Sequence, residues 1–158
     1  MLKKLLETDN DFTGLIARVI LGVVILPHGL QKLLGMFGGF GFSATVDFFV
    51  NSGIPSAIAI LIILGESFGA LALIIGLVSR FVAFGISLIM LGAIFMVHLP
   101  NGFFMNWFGN KQGEGFEFHI LAIGLGMITM IKGSGRWSID RLLTKQSFEE
   151  LPEVKGRC

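Results

Sequence analysis

Four long apolar runs, separated by short polar or glycine-rich connections, set the layout of this chain. The runs are 13–34, 54–76, 80–99 and 116–132. A helix of ~20 residues covers a ~30 Å hydrocarbon core, so each run predicts a membrane-spanning helix. Only Leu77, Val78 and Ser79 separate the second run from the third, which forces an antiparallel hairpin. Pro55 suits the first turn of the second helix, and Pro100 stops the third. The first run lacks a small-residue cleavage site after a short apolar stretch, so it reads as a retained helix and not a signal peptide. The expected fold is all-α, an integral membrane antiparallel four-helix bundle forming one domain over 1–148. Residues 149–158 read as a disordered cytoplasmic tail.

The connections carry patterns of their own. Between the first two helices, Phe42, Val46 and Phe49 recur at helical spacing and predict a short interfacial helix. Trp107, flanked by Phe103, Phe104 and Phe108, reads as an aromatic anchor at headgroup level. Trp137 could serve similarly at the other end. Ile139, Leu142 and Leu143 beyond it suggest an amphipathic tail helix.

Composition supports the membrane reading. Hydrophobic residues make up 53% of the chain and charged residues 15%, against about 25% charged in soluble domains. The net charge of +1 gives no global basic field, so nucleic acid is not an expected partner. Cys158 is the only cysteine, which leaves no disulfide framework and no thiolate metal site. Tyrosine is absent, which removes it as a proton or radical carrier.

Lysine and arginine are distributed unevenly. Lys3, Lys4, Arg80, Lys132, Arg136, Arg141, Lys145, Lys155 and Arg157 fall on the side of the termini, and only Lys32 and Lys111 on the other. The positive-inside rule then predicts that both termini are cytoplasmic.

Candidate chemistry lies in the ionisable residues within or near the spans, because burying a charge in a bilayer is costly and such residues face a partner or a cavity. They are Arg18, His28 and Lys32 on the first helix, Glu66 on the second, His98 on the third, and Glu117 and His119 on the fourth. At ~100° per residue Arg18, His28 and Lys32 share one face of the first helix, as do Gly22 and Gly29. Gly65 and Gly69 flank Glu66 and favour close helix packing. Counting ~1.5 Å per residue puts Glu66 near the midplane, with Arg18 within side-chain reach on the cytoplasmic side. Lys32, His98, Glu117 and His119 fall near the outer edge, where ordinary solvation is the plainer reading of each. Glu66 and His28 are the proton donor or acceptor candidates; all seven are ligand-binding candidates. No metal site is expected, because the three histidines sit on different helices without close helical spacing.

At these residues the chain resembles the DoxX family. The resemblance rests on Arg18-Val-Ile-Leu-Gly22 and His28-Gly29-Leu-Gln31-Lys32-Leu, then Gly53-Ile54-Pro55, Gly65-Glu66, and Gly76-Leu77 with Arg80. It continues through Gly133-Ser-Gly135-Arg136-Trp137-Ser138-Ile139-Asp140, and so covers about residues 12–143. It implies a small four-helix protein of the bacterial cytoplasmic (inner) membrane. Some relatives are linked to quinone-coupled oxidoreduction, and some work with other redox proteins. The family supplies no catalytic motif to carry over, and Cys158 at the chain end makes sulfur transfer at a protein thiol unexpected.

Three functions stay open from the sequence. The first is a quinone-linked, redox-associated membrane subunit, with a bound quinone as its ligand and a redox protein as its partner. On this reading the chain is at most the membrane subunit of an oxidoreductase, because no intrinsic cofactor site is evident. The second is a small-solute or ion carrier, which with four helices needs to act as a homo-oligomer. The third is a non-catalytic scaffold that holds a partner at the bilayer.

Overall fold

The computed structural model describes residues 5–149, without the side chains of 145–149. The expected disordered tail lies almost wholly outside the described residues. Helix α1 spans Phe12–Leu34. Its first turn is capped by the Asp11 carboxylate, which accepts from the Gly14 N–H at 3.2 Å. It ends at Gly35, whose φ of 72° is the left-handed conformation that closes a helix. A short helix α2, Phe42–Asn51, stands where the spacing of Phe42, Val46 and Phe49 predicts a helix. Thr45 on it is buried while Phe48 and Val50 are exposed.

Helix α3 covers Ser56–Ile75 and α4 covers Ser79–Asn101. Pro55 sits at the N-cap of α3, one position before the first turn in which the sequence placed it. Both helices contain a π-helical turn, Gly65–Gly69 in α3 and Ile94–His98 in α4. A π turn inserts one extra residue and re-aims the side chains around it. Helix α5, Glu117–Lys132, and helix α6, Ile139–Glu149, complete the described chain.

The four long helices pack in a ring. α1 lies against α3 and α5, and α4 lies against α5 and α3. Leu21, Ile25, Leu73, Ile86, Met90 and Ala122 form the core where they meet. Among the described residues three helices, α1, α3 and α4, are long and apolar enough to cross a membrane. The 16 residues of α5 reach about 24 Å, so the fourth predicted span is shorter than the other three.

Glycines let α1 and α3 approach closely. A Cβ on Gly22 would lie 2.8 Å from the Ala70 carbonyl, and one on Gly29 would strike the Glu66 carbonyl. Contact this close lets dispersion and tight packing hold helices whose outer faces meet lipid. Those faces are apolar: Leu61, Phe68, Phe81, Phe84, Phe95 and Leu121 are all exposed on the isolated chain. So much apolar surface marks a membrane face and not a water-facing one.

Candidate functional site

Midway along α3, the π turn carries Glu66, which is 4% exposed. Gly29 lies directly against the Glu66 backbone, so the turn of α1 before the last is level with this residue. Lys32, one turn from His28, extends its stem along the seam and brings Nζ to 2.5 Å from Glu66 Oε2. A bare carboxylate here would be strongly disfavoured, and the ammonium supplies the opposing charge. Lys32 lies in the last turn of α1 with its side chain 25% exposed, and its ammonium is paired with Glu66 in addition to any contact with solvent.

His28 lies within electrostatic range of both Lys32 and Glu66. It is exposed on the flank of α1, with its ring 5.8 Å from that of Phe118 on α5. His119 is buried and lies within electrostatic range of His28 and His98. The rings of His98 and His119 are 4.1 Å apart. His98 sits at the end of the π turn of α4, with Nδ1 2.8 Å from the Glu114 carbonyl. Glu66 with Lys32 and His119 with His98 thus form two contacting pairs, and His28 stands within electrostatic range of both, a discontinuous polar run that reaches the loop between α4 and α5. Within this run His119 Nδ1 is buried and has no hydrogen-bond partner among the described residues. No cluster of histidine, cysteine, aspartate or glutamate among them has the arrangement to hold a metal ion.

Glu117 lies outside this run. Its Oε1 accepts from the Met105 N–H and from the Trp107 indole N–H, both at 3.0 Å. It ties the aromatic loop to the start of α5.

Arg18 lies at the opposite end of the bundle. The sequence placed it within reach of Glu66, and the structure corrects this. Its guanidinium donates to the carbonyls of Ser134 at 2.6 Å, Leu73 at 2.8 Å, Trp137 at 2.8 Å and Arg136 at 3.2 Å, and also to Ile74. Leu73 and Ile74 lie in the last turn of α3, and the carbonyls at a helix C-terminus carry partial negative charge. A planar five-donor fork satisfies several at once, so Arg18 needs no carboxylate in direct contact.

Asp140 performs the opposite task on the next helix, a role that sequence reasoning missed. Its Oδ1 accepts from the Val78 N–H at 2.7 Å and its Oδ2 from the Ser79 N–H at 3.1 Å, while the Ser134 hydroxyl also donates to it. These are the orphan amides at the start of α4. Val78 has a φ of 49°, strained for a β-branched residue, and the Asp140 bond holds it there. The sequence signal was present in the Ser138-Ile139-Asp140 stretch but carried no visible chemistry.

The family model described as DoxX matches residues 13–99, which include Arg18, His28, Lys32, Glu66 and His98. Over 92 residues the chain is 37% identical to "Putative oxidoreductase CatD" of Bacillus subtilis (strain 168). That match spans 58% of this chain and 64% of the relative. An alignment over 158 residues gives 28% identity to "Uncharacterized membrane protein Rv3486" of Mycobacterium tuberculosis, covering 91% of this chain and 89% of the relative. The chain is also 27% identical to "Inner membrane protein YqjF" of Escherichia coli (strain K12), over 87% of this chain and 96% of that one. No solved structure matches.

Proposed function

This chain belongs to the DoxX family of membrane proteins, and on that premise we propose that it is a quinone-linked, redox-associated subunit of the inner membrane, with both termini cytoplasmic. The observation that carries the proposal is the Lys32–Glu66 pair, 2.5 Å apart on a π turn, beside His28 on the flank of the bundle. A quinone is apolar and dissolves in the bilayer, so a site for it opens sideways between helices. The seam of α1 and α5 at His28 and Phe118 offers such a flank.

The residues fit that ligand. Lys32 and the His28 ring offer donors for a quinone oxygen, and the rings of Phe118 and His119 offer apolar faces. The unpartnered His119 Nδ1 suits an acceptor or donor on a ligand. Reducing a quinone to a quinol takes up two electrons and two protons. Glu66, Lys32 and His28 hold and pass protons, and His119 and His98 continue the path to the outer loop. Electrons come from a partner redox protein. The name "Putative oxidoreductase CatD" on one relative supports this reading.

The test is mass spectrometry of the lipid extract from protein purified in mild detergent. Stoichiometric quinone in the natural chain, lost in Glu66→Gln and His28→Ala, is the expected result. Quinone no higher than in an unrelated four-helix membrane protein overturns the proposal and favours a scaffold or carrier.

A further inference from the structure

We propose that the groove at the end of the bundle near Arg136 and Arg141 seats the phosphate of an anionic phospholipid. The groove is an open surface depression of about 640 Å³. Its lining includes Asn10, Ile75, Arg136, Trp137, Arg141 and Leu142. Among the described residues two cations line it and no carboxylate does.

Both arginines are poised for an anion. The Arg136 guanidinium lies 4.7 Å above the Phe12 ring and 5.8 Å from the Trp137 ring. Stacking fixes its plane and leaves its N–H edge to bind. Arg141 Nη1 is buried and has no hydrogen-bond partner among the described residues. A buried guanidinium N–H without an acceptor is costly, so an acceptor from outside the chain is the physical resolution. Asp140, adjacent in sequence, does not supply it, because its oxygens are taken by Val78, Ser79 and Ser134. Lys132 is likewise engaged, 3.6 Å from Asp9 and from Asp11.

The walls favour a lipid over a free anion. Ile75 is the last residue of α3, so the groove sits where that apolar helix ends. Leu142 and Trp137 are 63% and 75% exposed at its edge. An acyl chain or glycerol backbone covers such residues, and inorganic phosphate does not. A tryptophan beside two arginines at the end of a span is the chemistry that recognises anionic headgroups.

The test uses the full chain in detergent and native mass spectrometry with phosphatidylglycerol or phosphatidylcholine. Phosphatidylglycerol adducts are expected to survive at least tenfold better than phosphatidylcholine adducts. The preference is expected to vanish in Arg136→Gln/Arg141→Gln and to persist in part in Arg136→Lys/Arg141→Lys. A second measurement avoids dependence on the folding of those variants. With Trp107→Phe leaving Trp137 as the only tryptophan, brominated phosphatidylglycerol in mixed vesicles should quench its emission more than brominated phosphatidylcholine. Equal retention of both lipids, or equal quenching by both, overturns the proposal. Displacement of phosphatidylglycerol by millimolar inorganic phosphate also overturns it, in favour of a free-anion site.

Discussion

Lys32 and Glu66 lie 34 positions apart in the chain and meet at 2.5 Å, because Gly29 lets the backbones of α1 and α3 approach and the π turn aims the carboxylate into the seam. The pair is unequal. Glu66 is almost fully enclosed, whereas the Lys32 side chain is 25% exposed. The lysine can exchange with the surroundings while the acid stays inside.

Breaking the pair from one side strands a charge. Lys32→Met is expected to cost about 3 kcal/mol, the low end for a buried pair because Lys32 keeps some exposure. The double variant Lys32→Met/Glu66→Gln is expected to recover most of that loss. Thermal unfolding in detergent reads both. A double variant no more stable than Lys32→Met would mean that the pair is not held together as a buried ion pair.

The glycine seam can be tested against a control in the same molecule. Gly29→Ala drives a Cβ into the Glu66 backbone and is expected to destabilise by about 1–3 kcal/mol. Gly85→Ala on α4 meets nothing within 4 Å and is expected to be neutral or slightly stabilising, as alanine favours a helix. If the two variants melt alike, α1 and α3 are not in close contact.

Much of the fold was legible in the sequence because a bilayer demands long apolar runs, and α1, α3 and α4 begin and end within two residues of the predicted limits. The site was less legible. Residue spacing gives depth along each helix separately and carries no information on how the helices are offset. Gly29 facing Glu66 shows that they are offset, which brings Lys32 to the acid and leaves Arg18 about 10 Å farther along α3. The π turns leave no mark in composition beyond Gly65 and Gly69, so a continuous helical wheel misplaces the residues around them. Arg18 was assigned a carboxylate partner because a buried cation needs negative charge. A helix C-terminus supplies it through carbonyls, and spacing alone cannot distinguish the two.

Arg18→Lys should behave as a severe substitution. A lysine cannot reach five carbonyls with one ammonium, and each acceptor left buried costs about 1–3 kcal/mol. Little Arg18→Lys protein is expected in membranes, compared with Arg136→Lys as a control. Equal amounts of the two would contradict the capping role.

Glu117 offers a test of separation. Glu117→Ala removes the acceptor for the Trp107 indole and is expected to change Trp107 emission while leaving any bound quinone in place. Loss of quinone together with the emission change would bring Glu117 into the ligand site.

Orientation is testable with a single thiol. In a Cys158→Ser background, Phe108→Cys puts a cysteine at a position that is 91% exposed in the loop between α4 and α5. An impermeant maleimide is expected to label it in intact cells. Labelling only in inside-out vesicles would reverse the proposed topology.

The two caps on the α3–α4 hairpin have a consequence for biogenesis. Arg18 comes from the first helix, whereas Asp140 and the Ser134–Trp137 carbonyls come from a segment synthesised after α5. While the hairpin enters the bilayer, the N-terminal amides of α4 have no carboxylate and three of Arg18's five acceptors do not yet exist. The turn is therefore left open until Asp140 has been added. Its closure follows α5 in the order of synthesis, and a chain truncated before Asp140 should present an unlatched hairpin to membrane quality-control proteases.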